Sequence, residues 1–136
     1  MTRETKQVVV TWSEGLRFEG GQRGGPTITV DGNGAAGPSP VVALLIAAAG
    51  CTGSDVISIL EKMRQAVTGF RIEVAGVRRE EEPRRFVSLH LVYHVSGEAI
   101  DETKVRRAID LSLEKYCSVT HSLAPDIAIT YDVALS

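Results

Sequence analysis

The chain has 136 residues, 43% hydrophobic and 24% charged, which suits one globular domain, 1–136, with a real but modest core. Its 15 basic and 17 acidic residues leave a net charge of −2, against the basic surface that non-specific nucleic-acid binding needs. The opening residues MTRETKQVVV lack the pattern of a signal peptide and no apolar run approaches the ~18–20 residues of a membrane span, so a soluble, cytoplasmic chain with no membrane partner is expected.

In chain order, residues 6–12 are β-branched and short and predict a strand. After a turn at Glu14-Gly15, Leu16 and Phe18 alternate with Arg17 and Glu19, and Ile28 and Val30 share one face of a third strand. A loop over 32–40 ends at Ser39-Pro40, a cap residue followed by proline at the first helical position. From Val41 to Ala49 every residue is apolar. Such a helix must be covered on all sides, and so small a chain needs a second copy to do it. Beyond Gly50-Cys51-Thr52-Gly53, residues Val56, Ile59, Leu60 and Met63 fall at helical spacing. Thr52 to Asp55 has the form of a capping box, at the point where the apolar helix meets the amphipathic one.

Two longer strands follow, with Ile72 and Val74 inward on one and Leu89, Leu91, Tyr93 and Val95 on the other. The block RREEEPRR between them predicts a solvated connection. An amphipathic helix capped by Asp101 carries Val105, Ile109 and Leu113 and ends at Cys117, and a last strand follows Pro125. The order βββ-α-ββ-α-β indicates an α+β fold.

Chemistry has few places to sit. Cys51 and Cys117 are the only cysteines, and a cytoplasmic setting disfavours a permanent disulfide between them. A break at Cys51 would set it beside helix N-terminal amides that favour the reactive thiolate, whereas apolar burial would oppose charge. Without that help both are core thiols, and their spacing says nothing about contact. His90 and His94 lie about 13 Å apart along a strand, too far for one metal. His121 follows Cys117 by one helical turn, but no second ligand pair is near, so no metal and no cofactor is expected. Nucleotide-binding and hydrolase motifs are absent.

The segment Gly37-Pro38-Ser39-Pro40, the aliphatic helix, Ala49-Gly50-Cys51-Thr52, the run Asp55 to Leu60 with Lys62 and Arg64, and AIDLSLEKYCSV resemble the OsmC/Ohr family over essentially the whole chain. The resemblance is greater to its OsmC-like, YhfA-like branch than to the organic-hydroperoxide-resistance branch. It implies an OsmC-like fold, an antiparallel sheet with long central helices, in an intertwined homodimer with active sites at the subunit interface. It implies a peroxidase cycle in oxidative or osmotic stress defence. Cys51 would attack a small organic hydroperoxide and Cys117 would resolve the sulfenic acid. An external dithiol would then reduce the disulfide. Arg17 best matches the family's thiolate-holding arginine, with Arg23 as the alternative. The family's glutamate position is Val41 here, so Arg17 would need Glu14 or Glu19 as partner. A redox-responsive or small-ligand-binding protein with slow or no turnover is the alternative expectation.

Overall fold

Alternation of apolar and polar side chains with a period of two sends three stretches between Val9 and Asp31 into strands. In the structure, a computed structural model that describes residues 3–136, β1 (Val9–Glu14), β2 (Arg17–Gly21) and β3 (Thr27–Asp31) form an antiparallel sheet in that order. The register sets Trp12, Phe18 and Val30 in one row and Val10, Gly20 and Ile28 in the next. One face is therefore apolar, while the other carries Thr11, Glu19 and Thr29. Leu16 lies in the turn rather than in the strand, because Gly15 takes a φ of +53°, a left-handed conformation that glycine adopts without steric cost.

The chain divides into two compact units, Met1–Leu44 and Leu45–Ser136. The helix α1 (Pro40–Lys62) begins in the first and continues into the second. As expected, Pro40 is its first residue, and the Ser39 hydroxyl accepts the Val42 N–H at 3.2 Å.

No break falls at Cys51: α1 runs unbroken for 23 residues. Ser54 does not open a new helix but donates its hydroxyl to the Gly50 carbonyl one turn back, at 2.8 Å. The nearby glycine serves packing, since a Cβ at Gly53 would lie 3.3 Å from Ile72 and 3.5 Å from Phe70. As a whole α1 is long and apolar enough to cross a membrane by length and composition, which the nine-residue apolar run did not suggest. Its face formed by Ala48, Thr52, Gly53, Val56 and Leu60 is buried within the protein. The rest is not: Val41, Val42, Leu44, Ile46 and Ile57 are 36–56% exposed in the single chain.

The second unit holds the core. β4 (Val67–Arg78) and β5 (Phe86–Gly97) pair antiparallel, and β6 (Ala128–Leu135) joins β5 in parallel. That last pairing departs from an all-antiparallel sheet, because the chain leaves β5 through α2 (Glu102–Leu111) and crosses back before β6. Leu89, Leu91, Tyr93 and Val95 point inward from β5, each at most 1% exposed. They pack with Val56 and Leu60 of α1 and Val105, Ala108 and Ile109 of α2. Burying each of these aliphatic side chains contributes about 1.5–3 kcal/mol.

Candidate functional site

Val105, Ala108, Ile109 and Ser112 recur at three- and four-residue spacing, and all are fully buried. A continuing α-helix would bring Tyr116 to the same face. Instead the helix widens into a π turn, Ser112–Tyr116, and the Cys117 N–H bonds to the Ser112 carbonyl five residues back, at 2.7 Å. The added residue leaves Tyr116 49% exposed and puts Cys117 on the buried face at 0%. Cys117 then takes extended backbone angles and starts a short helix, α3 (Ser118–His121). The amphipathic helix expected to run to Cys117 thus ends in a turn of different pitch.

Cys51 is half-buried in the middle of α1, and both cysteines are free thiols. The second unit brings the two side chains close enough for Cys51 to act on the Cys117 thiol. Burial pushes the Cys117 thiol above its ordinary value, Thr120 pulls it down by hydrogen bonds, and Cys51 beside it adds to the upward push. Cys117 therefore keeps its proton at neutral pH. With α1 unbroken, Cys51 sits at mid-helix and beside no helix N-terminus of its own.

Beside the two thiols lies a buried chain of hydroxyls. Thr52 Oγ1 is 2.9 Å from the Tyr93 hydroxyl and 2.8 Å from Ser112 Oγ, and Ser112 Oγ donates to Asp55 Oδ2 at 2.8 Å. Each hydroxyl has one proton, so a carboxylate acceptor at the end orders the series. Ser112 gives its proton to Asp55 and must accept from Thr52, and Thr52 in turn accepts from Tyr93. Burial pushes the Tyr93 phenol up to about 12, so it remains a donor across the physiological range. None of these four residues was a candidate from sequence. The available signal was polar Ser112 on the apolar stripe of α2, with Thr52 and Asp55 one and four places after Cys51.

Arg17 opens β2 in the first unit, with Nη1 2.9 Å from Glu14 Oε1 and Nε 3.4 Å from Asp31 Oδ2. Glu14 is one of the two expected partners. Glu19 instead accepts hydroxyls from Thr27 and Thr29. Asp31, which sequence reasoning passed over, is buried, and its carboxylate accepts the N–H groups of Ala36 at 3.0 Å and Asn33 at 2.8 Å. Those bonds hold its carboxyl below the usual carboxylate range. Arg23 lies in the exposed turn between β2 and β3. Val41, in the family's glutamate position, sits in the first turn of α1.

The histidines bind elsewhere: His90 to Thr130 and Asp132, and His121 Nε2 to the Leu113 carbonyl at 2.9 Å. Among the described residues no three His, Cys, Asp or Glu side chains converge as for a metal ion.

The model of the family described as OsmC-like protein matches residues 31–132. The chain is 44% identical to Protein YhfA of Escherichia coli (strain K12) over 126 residues, covering 92% of this chain and 94% of that one. Among solved structures, a hypothetical protein from Aquifex aeolicus VF5 superposes with a TM-score of 0.85 at 32% identity, over 98% of this chain and 99% of that one. An organic hydroperoxide resistance protein from Elizabethkingia anophelis shares the fold at a TM-score of 0.66 and 14% identity, over 99% of this chain and all of the other. A family match across most of the chain, with a relative this similar along nearly its full length, gives one conclusion: the chain belongs to the OsmC-like protein family.

Proposed function

We propose that this protein is a cytoplasmic thiol-dependent hydroperoxide reductase in which Cys51 attacks and Cys117 resolves. The observation that carries the reading is the meeting of the two thiols, one half-buried and one fully buried, from helices distant in sequence. A partly open thiol can meet a small organic hydroperoxide. A sealed, protonated thiol next to it can only react with what forms on its neighbour. Cys51, as thiolate, attacks the distal peroxide oxygen; the O–O bond breaks, the alkoxide takes a proton and leaves as the alcohol, and Cys51 becomes a sulfenic acid. Cys117 displaces hydroxide from that sulfur, its own proton completing a water molecule, and an external dithiol reduces the resulting disulfide by exchange. Membership of the OsmC-like family, whose fold organic hydroperoxide resistance proteins share, supports the same reading.

On the family pattern, Arg17 is the arginine of the reactive site. With valine at position 41, Glu14 and Asp31 are the carboxylates that hold its guanidinium. The working unit is a homodimer. Supporting this, Val10, Trp12 and Ile28 on one sheet face are 57–65% exposed, and the outer side of α1 is apolar as well. Open apolar surface on this scale calls for a partner.

Consumption of cumene hydroperoxide with dithiothreitol as reductant tests the assignment. Cys51→Ser should abolish turnover. Without reductant, Cys117→Ser should consume about one equivalent of hydroperoxide in forming the sulfenic acid and a second in going on to sulfinic acid. Unchanged consumption by Cys51→Ser would sink the reading.

A further inference from the structure

Ser112 touches both halves of the thiol pair. Its carbonyl holds the Cys117 N–H at 2.7 Å through the π turn, and its hydroxyl bonds at 2.8 Å to Thr52, the residue next to Cys51, and at 2.8 Å to Asp55 one turn on. Tyr93, from the sheet, closes the series on Thr52 at 2.9 Å. Thr52 and Ser112 are both 0% exposed, so no water competes for these bonds. A carboxylate at one end fixes every proton in one direction, which removes the alternative hydroxyl orientations. These bonds join α1, at the residue next to Cys51, to the turn that carries Cys117.

We infer that Thr52 and Ser112, oriented by Asp55 and Tyr93, are positioning residues that hold Cys117 against Cys51 for disulfide formation. The inference deepens the thiol-pair reading and rests on it. The step it serves is Cys51–SOH plus Cys117–SH giving the disulfide and water. The S–O and S–H bonds break, the S–S bond forms, and the proton leaves with the hydroxide. The oxidising equivalents come from the hydroperoxide. No hydroxyl of the series reacts; the series restricts the motion of the attacking sulfur, and such restriction raises effective concentration.

The test titrates the full-length protein against mixtures of reduced and oxidised glutathione, with the Cys51–Cys117 disulfide read by intact mass after alkylation. Thr52→Val keeps the side chain's shape and loses the hydroxyl, Ser112→Ala removes the central member, and Thr52→Ser keeps the bond. The first two should need a medium about tenfold more oxidising to form the disulfide, as loss of a buried charge-terminated bond implies. Thr52→Ser should follow the parent. Ser112→Ala leaves a small void, so Thr52→Val decides the matter should Ser112→Ala not fold. An unshifted equilibrium in Thr52→Val would overturn the inference, as would a parent protein that forms no intramolecular disulfide at any ratio. A parent that forms the disulfide normally but consumes no cumene hydroperoxide would defeat the peroxidase reading alone, leaving the clamp in place.

Discussion

The two sheets are built from similar alternation and end in opposite situations. On β5 the inward residues Leu89, Leu91, Tyr93 and Val95 are sealed by two helices, at most 1% exposed. On β1 to β3 the corresponding apolar face, with Val10, Trp12 and Ile28, is 57–65% exposed, and the one fully buried residue of that sheet is a carboxylate, Asp31. An alternating strand declares which face must be covered and is silent about what covers it. The second unit covers its own sheet, whereas the apolar face of the first is open in the single chain. Under the proposed homodimer, stability should therefore behave differently in the two places.

The largest effect should come from the core side. Leu91→Ala deletes a fully buried side chain between sheet and helices and should cost about 2–5 kcal/mol, with the cavity included. That loss should be the same at every protein concentration. Ile28→Ala, on the open face, should change little at low protein concentration, where the chain is isolated, but lower the denaturation midpoint at high concentration, where association stabilises the parent. Urea melts at two protein concentrations distinguish the cases. A concentration-independent loss for Ile28→Ala would mean that its face is covered within the chain or not at all.

The contrast extends to pH. Asp31 in the first unit is held below its ordinary 3.8 by the Ala36 and Asn33 amides. A depressed folded-state value gives stability that is present above the unfolded value and lost as pH falls through the folded one. In the second unit the shifts are upward, by burial, for Cys117 from 9.0 and for Tyr93 from 10.0 to about 12. A raised value gives stability that is complete below the unfolded value and lost as pH climbs through the folded one. The first unit should thus soften below pH ~4 and the second between pH 10 and about 12. Trp12, the sole tryptophan, reports the first unit by fluorescence, and far-UV circular dichroism follows the helices. Asp31→Asn should flatten the acid limb alone, and Tyr93→Phe the alkaline limb alone. A Tyr93→Phe protein with the parental alkaline limb would remove Tyr93 from that account.

These two regions also mark what was legible in the sequence. Faces were legible: the inward set on β5 and the Ile28–Val30 face follow from period two, and the Ser39-Pro40 and Asp101 helix starts follow from capping chemistry. Pitch was not. Nothing in a 3.6-residue period announces the π turn that replaces Tyr116 by Cys117 on the buried face, because local tertiary contacts decide it. The capping-box form of Thr52 to Asp55 left a break in α1 open, whereas the helix runs whole, with Gly53 packed close to Ile72 and Phe70. The cysteine pair was legible through family resemblance and not through spacing. The hydroxyl series beside it needs three elements to meet, and no single segment encodes that.

The smallest difference lies in how the long helices begin. Asp101 caps α2 with a carboxylate that accepts the Thr103 N–H at 2.9 Å, and its own N–H is held by Gln65 at 2.8 Å. Ser39 caps α1 with a neutral hydroxyl at 3.2 Å, on a helix whose first turn carries no acidic residue. A charged acceptor satisfies the amide and also meets the positive end of the helix, whereas a hydroxyl does only the first. Asp101→Ala should therefore cost about 1 kcal/mol, and Ser39→Ala about half that. Because the dipole share is screened, 1 M salt should narrow the gap by a few tenths of a kcal/mol. Equal costs at low salt would show that Asp101 acts only as a hydrogen-bond acceptor, and Asp101→Asn would then be as stable as the parent.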